Sequence, residues 1–342
     1  MIKYSLGLDI SVKNFDACLS VIDINQKVTV KNTCKFINNQ KGFETLHDWL
    51  EKNHKLKEIP LVILLEPTGV YYENCALYLS KKGYKVCVVL ANKSKKYFQA
   101  MGLRSKNDKV DAQALSRMGA EQCLEEWHPI TEFYYQLRIM TRHHQSLQEL
   151  ITIQKNQLHA HKNGMYQNKF VEKQTNKLIL DLTNQLADLK KKIVEFINSN
   201  PEVKAKVENV ASIKGVGILT IAVIISETNG FQNFNNSRQL VSYAGYDVVE
   251  NQSGSHTGQT RISKKGNSHI RRILFMPALT VVTHNVAPFK NLFDRTYAKH
   301  FIKFKSYVAI QRKILVLIFS LWKNGEKYDE SKYFVEDLAM AS

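Results

Sequence analysis

Short apolar stretches separated by turns dominate the first forty residues of the chain. The stretches "YSLGLDISV", "FDACLSVID" and "KVTVKNTCKF" are rich in β-branched and aromatic residues and follow one another closely. Three β-like stretches at this spacing are typical of an antiparallel meander. The pattern then changes, and "GFETLHDWLEKN" carries apolar residues at helical spacing. The pattern therefore predicts three strands followed by a helix.

Two continuous apolar runs follow, each paired with a helical stretch. The runs "PLVILLEPTG" and "YKVCVVLA" are typical of strands buried on both faces. Between them, "YYENCALYLSKKG" has helical spacing and ends at Gly83, a common helix C-terminal signal. Helical patterns in "KSKKYFQAMG" and "KVDAQALSRMGA" come next. The order βββαβαβα predicts a ribonuclease H-like layout, a mixed sheet with helices packed on it.

The middle of the chain has the pattern of two long amphipathic helices. Between Glu132 and Ser199 there is no proline, and Gly164 is the only glycine. Apolar residues recur every three or four positions on both sides of "HKNGMYQNK", where the chain is expected to turn. An ordinary helical bundle would give the same pattern. We interpret the pair as an antiparallel coiled-coil arm.

The last third of the chain is predicted to be mainly helical. The glycines of "GVG", Gly215 and Gly217, lie between apolar helical runs and resemble a helix-hairpin-helix turn, whose backbone N–H groups receive a DNA phosphate. Close packing of two helices at glycine would account for them equally well. The apolar run "ILVLIFSLW" is too short to span a bilayer and predicts a buried helix. The expected fold class is α/β plus α, with domains at 1–127, 128–203 and 204–342.

The charge of the chain points to a polyanionic partner. Lys and Arg number 48 against 31 Asp and Glu, a net charge of +17. A solvated basic surface would account for this excess, but nucleic-acid binding is favoured, because neutralising phosphates releases counterions. The five cysteines are odd in number and none are in CxxC spacing, which argues against disulfides and a zinc site. With no signal-peptide pattern, a cytoplasmic location is expected.

Four carboxylates fall at corresponding places in the predicted layout. Asp9 lies on the first strand, Glu66 at the end of the fourth strand, and Asp108 and Asp111 on one face of a helix. Taken singly, Asp9 could be a turn residue, and Glu66 and Asp108 could be helix caps, with Asp111 complementing a helix dipole. Together they predict a metal site, since clustered carboxylates repel unless a cation neutralises them and hard oxygen ligands suit Mg²⁺.

Basic residues flank the acids and fill a second segment further along. In "GLRSKNDKVDAQAL", Arg104, Lys106 and Lys109 are candidates for phosphate contact, or else a solvated helix entry. In "ENQSGSHTGQTRISKKGNSHIRR", Ser253 precedes Gly254, and no acid follows Glu250 until Asp294. The cations of that segment are Arg261, Lys264, Lys265, Arg271 and Arg272. We expect a flexible loop in which Ser253 is either a nucleophile for phosphate or an ordinary loop serine.

The ordered combination of these motifs resembles one family closely. The series "GLDIS", "LLEPTGVY", "GLRSKNDKVDAQAL", "IKGVGILTIAVIISE", "RQLVSYAGY", "QSGS" and "TRISKKGNSHIRRILFMPA" resembles the transposases of the IS110 family of insertion sequences, which are relatives of the Piv DNA invertase. The resemblance runs from about Leu6 to Ala278. The combination is specific, although each motif alone is not.

The resemblance implies a RuvC-like N-terminal domain whose DEDD tetrad falls on Asp9, Glu66, Asp108 and Asp111 and binds Mg²⁺. It also implies that Ser253, in a C-terminal transposase domain, forms a covalent phosphoserine link to a DNA strand end. Further implications are a composite active site in a dimer or tetramer, with the coiled-coil arm mediating the pairing. A noncoding bridge RNA is expected to pair with donor and target DNA.

Two other functions remain open on the residues alone. A RuvC-like structure-specific endonuclease would use the same acids with water as its nucleophile. A non-catalytic nucleic-acid-binding scaffold would need neither metal nor serine, and the complete set of acids argues against it.

Overall fold

The computed structural model describes residues 1–102, 107–250, 252–254, 256–258 and 260–333. The chain divides into two compact units, Met1–Pro129 and Ile130–Ser342. The division into three domains stays a prediction. Within the described ranges, no helix is long and apolar enough to cross a membrane.

The first unit is built around one mixed sheet. Its elements are, in chain order, β1 (Lys3–Ile10), β2 (Asn14–Ile22), β3 (Val28–Ile37), α1 (Gln40–Asn53), β4 (Leu61–Leu65), α2 (Glu73–Lys81), β5 (Lys85–Val88), α3 (Ala91–Ala100) and α4 (Asp108–Glu121). The five strands lie in the order β3-β2-β1-β4-β5. β1, β2 and β3 are antiparallel neighbours, whereas β4 and β5 run parallel to β1. The predicted order of strands and helices is confirmed.

Strand alternation divides β1 between two layers of helices. Tyr4, Leu6, Leu8 and Ile10 belong to a core that also contains the buried faces of α1 and α2. Ser5, Gly7 and Asp9 point the other way, because side chains alternate across a sheet. On that side α3 and α4 pack against the sheet, and Leu115 and Met118 of α4 share a core with β4 and β5. The sheet is thus covered on both faces.

The second unit is helical apart from a few short strands. Its helices are, in chain order, α5 (Glu132–Lys162), α6 (Lys169–Asn198), α7 (Pro201–Ala211), α8 (Ile218–Glu227), α9 (Ser237–Tyr243), α10 (Ser268–Ile273), α11 (Phe275–Thr283), α12 (Ala287–His300) and α13 (Lys303–Asn324). Its short strands are β6 (Val248–Val249), β7 (Gln252–Ser253), β8 (His256–Thr257) and β9 (Arg261–Ile262). The apolar run predicted as a buried helix lies within α13, whose Ile314 and Ile318 are fully buried.

The two long helices predicted for the middle of the chain are present as α5 and α6. They pack on each other through a small core of Leu147, Ile151 and Leu182. Their other ends, with Leu137 and Ile197, join the main core of the second unit. The interpretation of the pair as a coiled-coil arm stays a prediction.

Candidate functional site

Strand register brings the first two predicted acids together. β1 and β4 are parallel, and Leu8 lies opposite Leu65. The next residue on each strand is an acid, Asp9 on β1 and Glu66 just after β4. Because the carboxyl ends of parallel strands meet at one edge of a sheet, the two carboxylates share that edge. Asp9 also faces Asp16 across the antiparallel pairing with β2, and Asp16 forms an ion pair with Lys35 at 3.2 Å.

Helix α4 carries the other two acids to the same place. Its backbone lies directly on β1 at Gly7, where an added Cβ would come within 2.2 Å of the Ala112 carbonyl oxygen. Gly119, further along α4, similarly lies against Ser5, and Ser116 Oγ donates a hydrogen bond to the Ser5 carbonyl at 3.1 Å. Absence of a side chain at Gly7 therefore permits the close approach of α4 to the strand that carries Asp9.

The pKa of Asp9 is affected by the neighbouring acids. Burial, as the largest cause, and the neighbouring carboxylates together raise the pKa of Asp9 to about 6. The carboxylates that contribute to this rise are, in decreasing order, Asp108, Asp111, Glu66 and Asp16. Like charges disfavour the ionised form, so these four carboxylates lie close enough to Asp9 to affect its ionisation. The structure brings the four sequence-predicted acids into one electrostatic group, and Asp16 is a fifth member that sequence reasoning missed.

Glu66 is held by a residue that the sequence did not single out. Ser94 on α3 is fully buried, and its hydroxyl lies 2.7 Å from Glu66 Oε2 and 3.0 Å from the Ala91 carbonyl oxygen. A serine in a lysine-rich helical stretch carries no signal of this role. Only the packing of α3 beside the end of β4 reveals it.

The simpler roles of turn residue and helix cap do not fit the surroundings of these acids. Asp9 lies within β1, not in a turn. The N-cap of α4 is Asn107, whose side chain accepts a hydrogen bond from the Val110 N–H at 2.9 Å, so Asp108 is the first helical residue. The expected role of Asp111 at the helix dipole does fit, since Asp111 lies in the first turn of α4. Glu66 caps no helix, because α2 begins later, at Glu73.

The donor set of this acidic group fits a hard divalent cation. All its donors are carboxylate oxygens. Besides burial, the charges of the neighbouring carboxylates raise the pKa of Asp9, and a cation would offset those charges. In the part of the chain that is described, no three His, Cys, Asp or Glu side chains are gathered tightly enough to hold a metal ion. The side chains would therefore have to turn toward the cation from their present positions.

A cavity of about 200 Å³ lies beside this group, between β2, β3 and α4. Its lining includes Asp16, Thr33, Lys35 and Lys109. Lys109, predicted to contact phosphate, thus borders the acids. Arg104 and Lys106 lie outside the described residues.

Ser253 lies in β7, and we call the short strands β6 to β9, which form two two-stranded sheets, the ribbon. This segment, expected to be a loop, therefore contains paired strands. β6 pairs with β9, and β7 pairs with β8, with Ser253 opposite His256. Gly254, next to Ser253, takes a left-handed conformation (φ +55°), which glycine adopts without a Cβ clash. Ser253 is exposed there. The ribbon presents its hydroxyl to solvent, in the second unit.

The residues on either side of the ribbon, which form its base, pack against neighbouring helices. The backbones of Gly245 and Gly266 are so close that a Cβ on Gly266 would lie 2.6 Å from the Gly245 N atom. Asn267 caps α10 and donates through Nδ2 to Glu227 Oε2 at 2.8 Å. Glu227 is buried and accepts two further hydrogen bonds from Arg142, at 2.7 and 2.9 Å. These contacts hold the two ends of the ribbon beside each other and against the helices.

The predicted phosphate-binding residues of the second unit differ in their surroundings. Arg261, Lys264 and Lys265 are exposed on or just after the ribbon. Arg271 is half-buried and donates to the Ala244 carbonyl at 2.8 Å, whereas exposed Arg272 forms an ion pair with Glu149.

The glycines of the predicted hairpin connect α7 and α8. Gly215 has φ +87° and lies against α11, where a Cβ would meet Val281 Cγ1 at 3.0 Å. Gly217 caps α8, and a Cβ there would meet nothing within 4 Å. Gly215 therefore has a conformational and packing role, while Gly217 leaves the exposed helix start accessible.

Comparison with known proteins identifies similar chains over nearly the whole length. A transposase model of the IS110 DEDD type matches residues 6–166, and one described as Transposase IS116/IS110/IS902 family matches residues 207–294. The chain is 27% identical over 331 residues to a pilin gene-inverting protein of Moraxella bovis, covering 96% of this chain and 99% of the relative.

Two further similarities cover about a third of the chain. One is to the transposase for insertion sequence element IS1111A of Coxiella burnetii, at 28% identity over 123 residues, 35% of this chain and 34% of the relative. The other is to the solved structure of Thermus thermophilus RuvC, with a TM-score of 0.28 and 12% identity over 34% of this chain and 93% of that one.

Proposed function

The chain belongs to the IS110 family of transposases and is a DNA transposase or recombinase, and from this premise we propose that it cleaves and rejoins DNA strands with a carboxylate-held metal and a serine nucleophile. Support for the acidic half of the site comes from the register of β1 with β4 and from the seating of α4 on Gly7. Those two features carry the proposal, because they gather acids from three separate elements.

Asp9, Glu66, Asp108 and Asp111 are the residues that would hold Mg²⁺. The bound cation would supply charge neutralisation at the scissile phosphate. The chain's own residues contribute by positioning these carboxylates. Ser94 orients Glu66 by its hydrogen bond at 2.7 Å, and the register of β1 with β4 sets Asp9 beside it.

Ser253 is the proposed nucleophile. Its Oγ forms a bond to the scissile phosphorus and loses its proton, while the bond from phosphorus to the leaving sugar oxygen breaks and that oxygen takes up a proton. Rejoining is the reverse with another strand, whose sugar hydroxyl attacks the phosphoserine and releases Ser253. No energy source is needed, since each step exchanges one phosphate ester for another. Arg261 and Lys265, exposed near the ribbon, would offset the phosphate charge.

The proposed partners are donor and target DNA and a noncoding bridge RNA, with a dimer or tetramer as the working assembly. The net charge of +17 supports polyanionic partners of this kind. Gly217, at the open start of α8, is a proposed backbone contact for phosphate, with Gly215 shaping the turn.

The deciding experiment looks for a covalent protein–DNA adduct. Purified protein is incubated with Mg²⁺, the element's RNA and end-labelled donor and target DNA, then stopped in denaturant. We expect a protease-sensitive adduct with the wild type and with Ser268→Ala, a matched change at an exposed serine of α10. Ser253→Ala and Asp108→Asn should give none.

Different outcomes would favour the alternative functions. Cleavage without an adduct, undiminished in Ser253→Ala, would identify an endonuclease that uses water. Binding of nucleic acid with neither cleavage nor any effect of Mg²⁺ on activity or stability would identify a scaffold.

A further inference from the structure

Apolar side chains are exposed where α12 ends and α13 begins. Phe301 is 78% exposed and Phe304 is 59% exposed. Phe275 at the start of α11 is partly exposed too, and its ring centroid lies 6.3 Å from that of Phe304. Phe301 lies three residues before Phe304 in the chain. We call Phe275, Phe301 and Phe304 the aromatic patch. Exposed aromatic clusters of this kind mark interaction sites more often than scattered surface residues do.

Phe301 is not accounted for by its local conformation. It ends α12 in the left-handed region, with φ +54° and ψ +21°, where glycine is the usual residue. A residue with a Cβ is strained in this conformation. Because the exposed ring recovers little of that strain energy through burial, the position is a candidate for a role in function.

The ring of Phe301 is supported by a row of aromatic side chains along α12. Phe293 and Tyr297 are four residues apart on one face of the helix, and Phe301 follows the last helical residue. The ring centroids are 6.0 Å apart for Phe293 and Tyr297 and 6.3 Å apart for Tyr297 and Phe301. Phe293 is buried in the core. The exposed ring is therefore the outer end of a row that is anchored inside the unit.

The surroundings of the aromatic patch are basic. No acidic residue occurs between Asp294 and Glu326. The neighbouring cations Lys299, Lys303 and Lys305 are exposed, and within the described ranges none of them forms an ion pair. A surface of this charge complements a polyanion, and it would repel the same surface on a second copy of the chain.

We infer that the aromatic patch and these lysines bind unpaired nucleotides of a single-stranded nucleic acid. The faces of Phe301 and Phe304 would stack on bases, and the lysines would contact the phosphates between them. Bases inside a duplex are stacked on each other and do not offer their faces. The inference concerns binding alone and does not rest on the proposed catalytic residues.

The test is binding of the full chain to labelled oligonucleotides of about 12 nucleotides, measured by fluorescence anisotropy. The probes are a uridine-only RNA, a thymidine-only DNA and a duplex DNA. For Phe301→Ala and Phe304→Ala we expect affinity for the single strands to fall about fivefold or more, because stacking on an aromatic ring contributes strongly to such binding. Duplex affinity should change less than about twofold. A larger loss with RNA than with DNA would identify RNA as the source.

Two further variants separate binding from folding. Phe301→Gly should raise the melting temperature, since glycine suits the left-handed conformation, and yet weaken single-strand binding as alanine does. Phe170→Ala removes another exposed ring, 68% exposed on α6, and should leave binding unchanged. Unchanged affinity in all the patch variants would overturn the inference. So would a fall in molar mass by light scattering with affinity intact, which would make the patch a contact between copies of the chain.

Discussion

Asp9 is the side chain whose ionisation depends most visibly on folding. Its pKa rises from 3.8 to about 6, first through burial and then through the neighbouring carboxylates. The folded chain therefore binds more protons than the unfolded chain between these pH values. The free energy of unfolding contributed by Asp9 is lowest above pH 6 and increases as the pH falls toward 4.

Asp9→Asn removes this unfavourable charge. In cation-free buffer we expect the melting temperature to rise at about pH 8 and to change little at about pH 4, where the wild-type carboxyl is largely neutral. Added Mg²⁺ should stabilise the wild type at about pH 8 and have little effect on the variant. Thermal unfolding across this pH range measures both. Asp48→Asn, at an exposed position of α1, is the control. A variant that is destabilised at about pH 8 would contradict the crowding of acids around Asp9.

At the residue level, sequence reasoning predicted the acids better than the residues that support them. A carboxylate at the end of a predicted strand is visible in the pattern, as with Glu66. Ser94 is not, because its role depends on where α3 packs. Asp16 was missed for a similar reason, since its position opposite Asp9 follows from the register of two strands.

Among the elements, the seating of α4 on β1 depends on Gly7. An alanine Cβ there would come within 2.2 Å of α4 backbone atoms, which cannot move as a flexible side chain can. We expect Gly7→Ala to lower the free energy of unfolding by about 3 kcal/mol or more, because overpacking forces backbone shifts. Since α4 carries Asp108 and Asp111, strand cleavage should be lost with it.

Chemical denaturation and the cleavage assay measure the two effects. Gly164→Ala is the matched control, because a Cβ there would make only ordinary contacts at 3.5 Å. A Gly7→Ala protein of wild-type stability and activity would show that α4 does not need this close approach.

The polar network at the base of the ribbon depends on the buried carboxylate of Glu227. Burial pushes the pKa of Glu227 upward, but the hydrogen bonds and charge of Arg142, with Asn267, outweigh it and hold the pKa below its usual range. A lowered pKa contributes stability at neutral pH that is lost as the pH falls through the folded-state pKa. Glu227→Gln should therefore lower the free energy of unfolding by about 2 kcal/mol at neutral pH, and the difference should narrow in acid.

This prediction is tested by measuring the free energy of unfolding of the wild type and of Glu227→Gln over a range of pH. Glu121→Gln removes the partner of Arg117 from a more exposed ion pair, and should cost less than about 1 kcal/mol. If the two variants lost the same free energy of unfolding, burial would not strengthen the ion pair between Arg142 and Glu227.

Element types followed from the sequence more readily than the contacts between elements. The helical periodicity on both sides of Gly164 predicted α5 and α6, because an apolar stripe that continues over about thirty residues indicates a long amphipathic helix. The ribbon around Ser253 was missed because strands of two residues, such as β7, are too short to carry an alternating pattern. Its form depends on tertiary contacts at its base.

On the scale of the whole molecule, the excess of 48 basic over 31 acidic residues should make nucleic-acid binding strongly dependent on salt. Some cations are neutralised within the fold, as Lys57 is by Glu51 at 2.8 Å. Others, such as Lys265, are exposed with no ion pair within the described ranges. Only the second kind can release counterions when a phosphate is bound.

Lys265→Gln and Lys57→Gln make the same change in net charge at these two kinds of site. Affinity for duplex DNA is measured between about 50 and 200 mM salt, and log K is plotted against log salt concentration. We expect Lys265→Gln to reduce the slope by about 1, because one phosphate contact is lost. Lys57→Gln should leave the slope unchanged. Equal reductions in both variants would mean that overall charge, rather than contact at the ribbon, governs binding; no reduction in either would remove Lys265 from the DNA-binding surface.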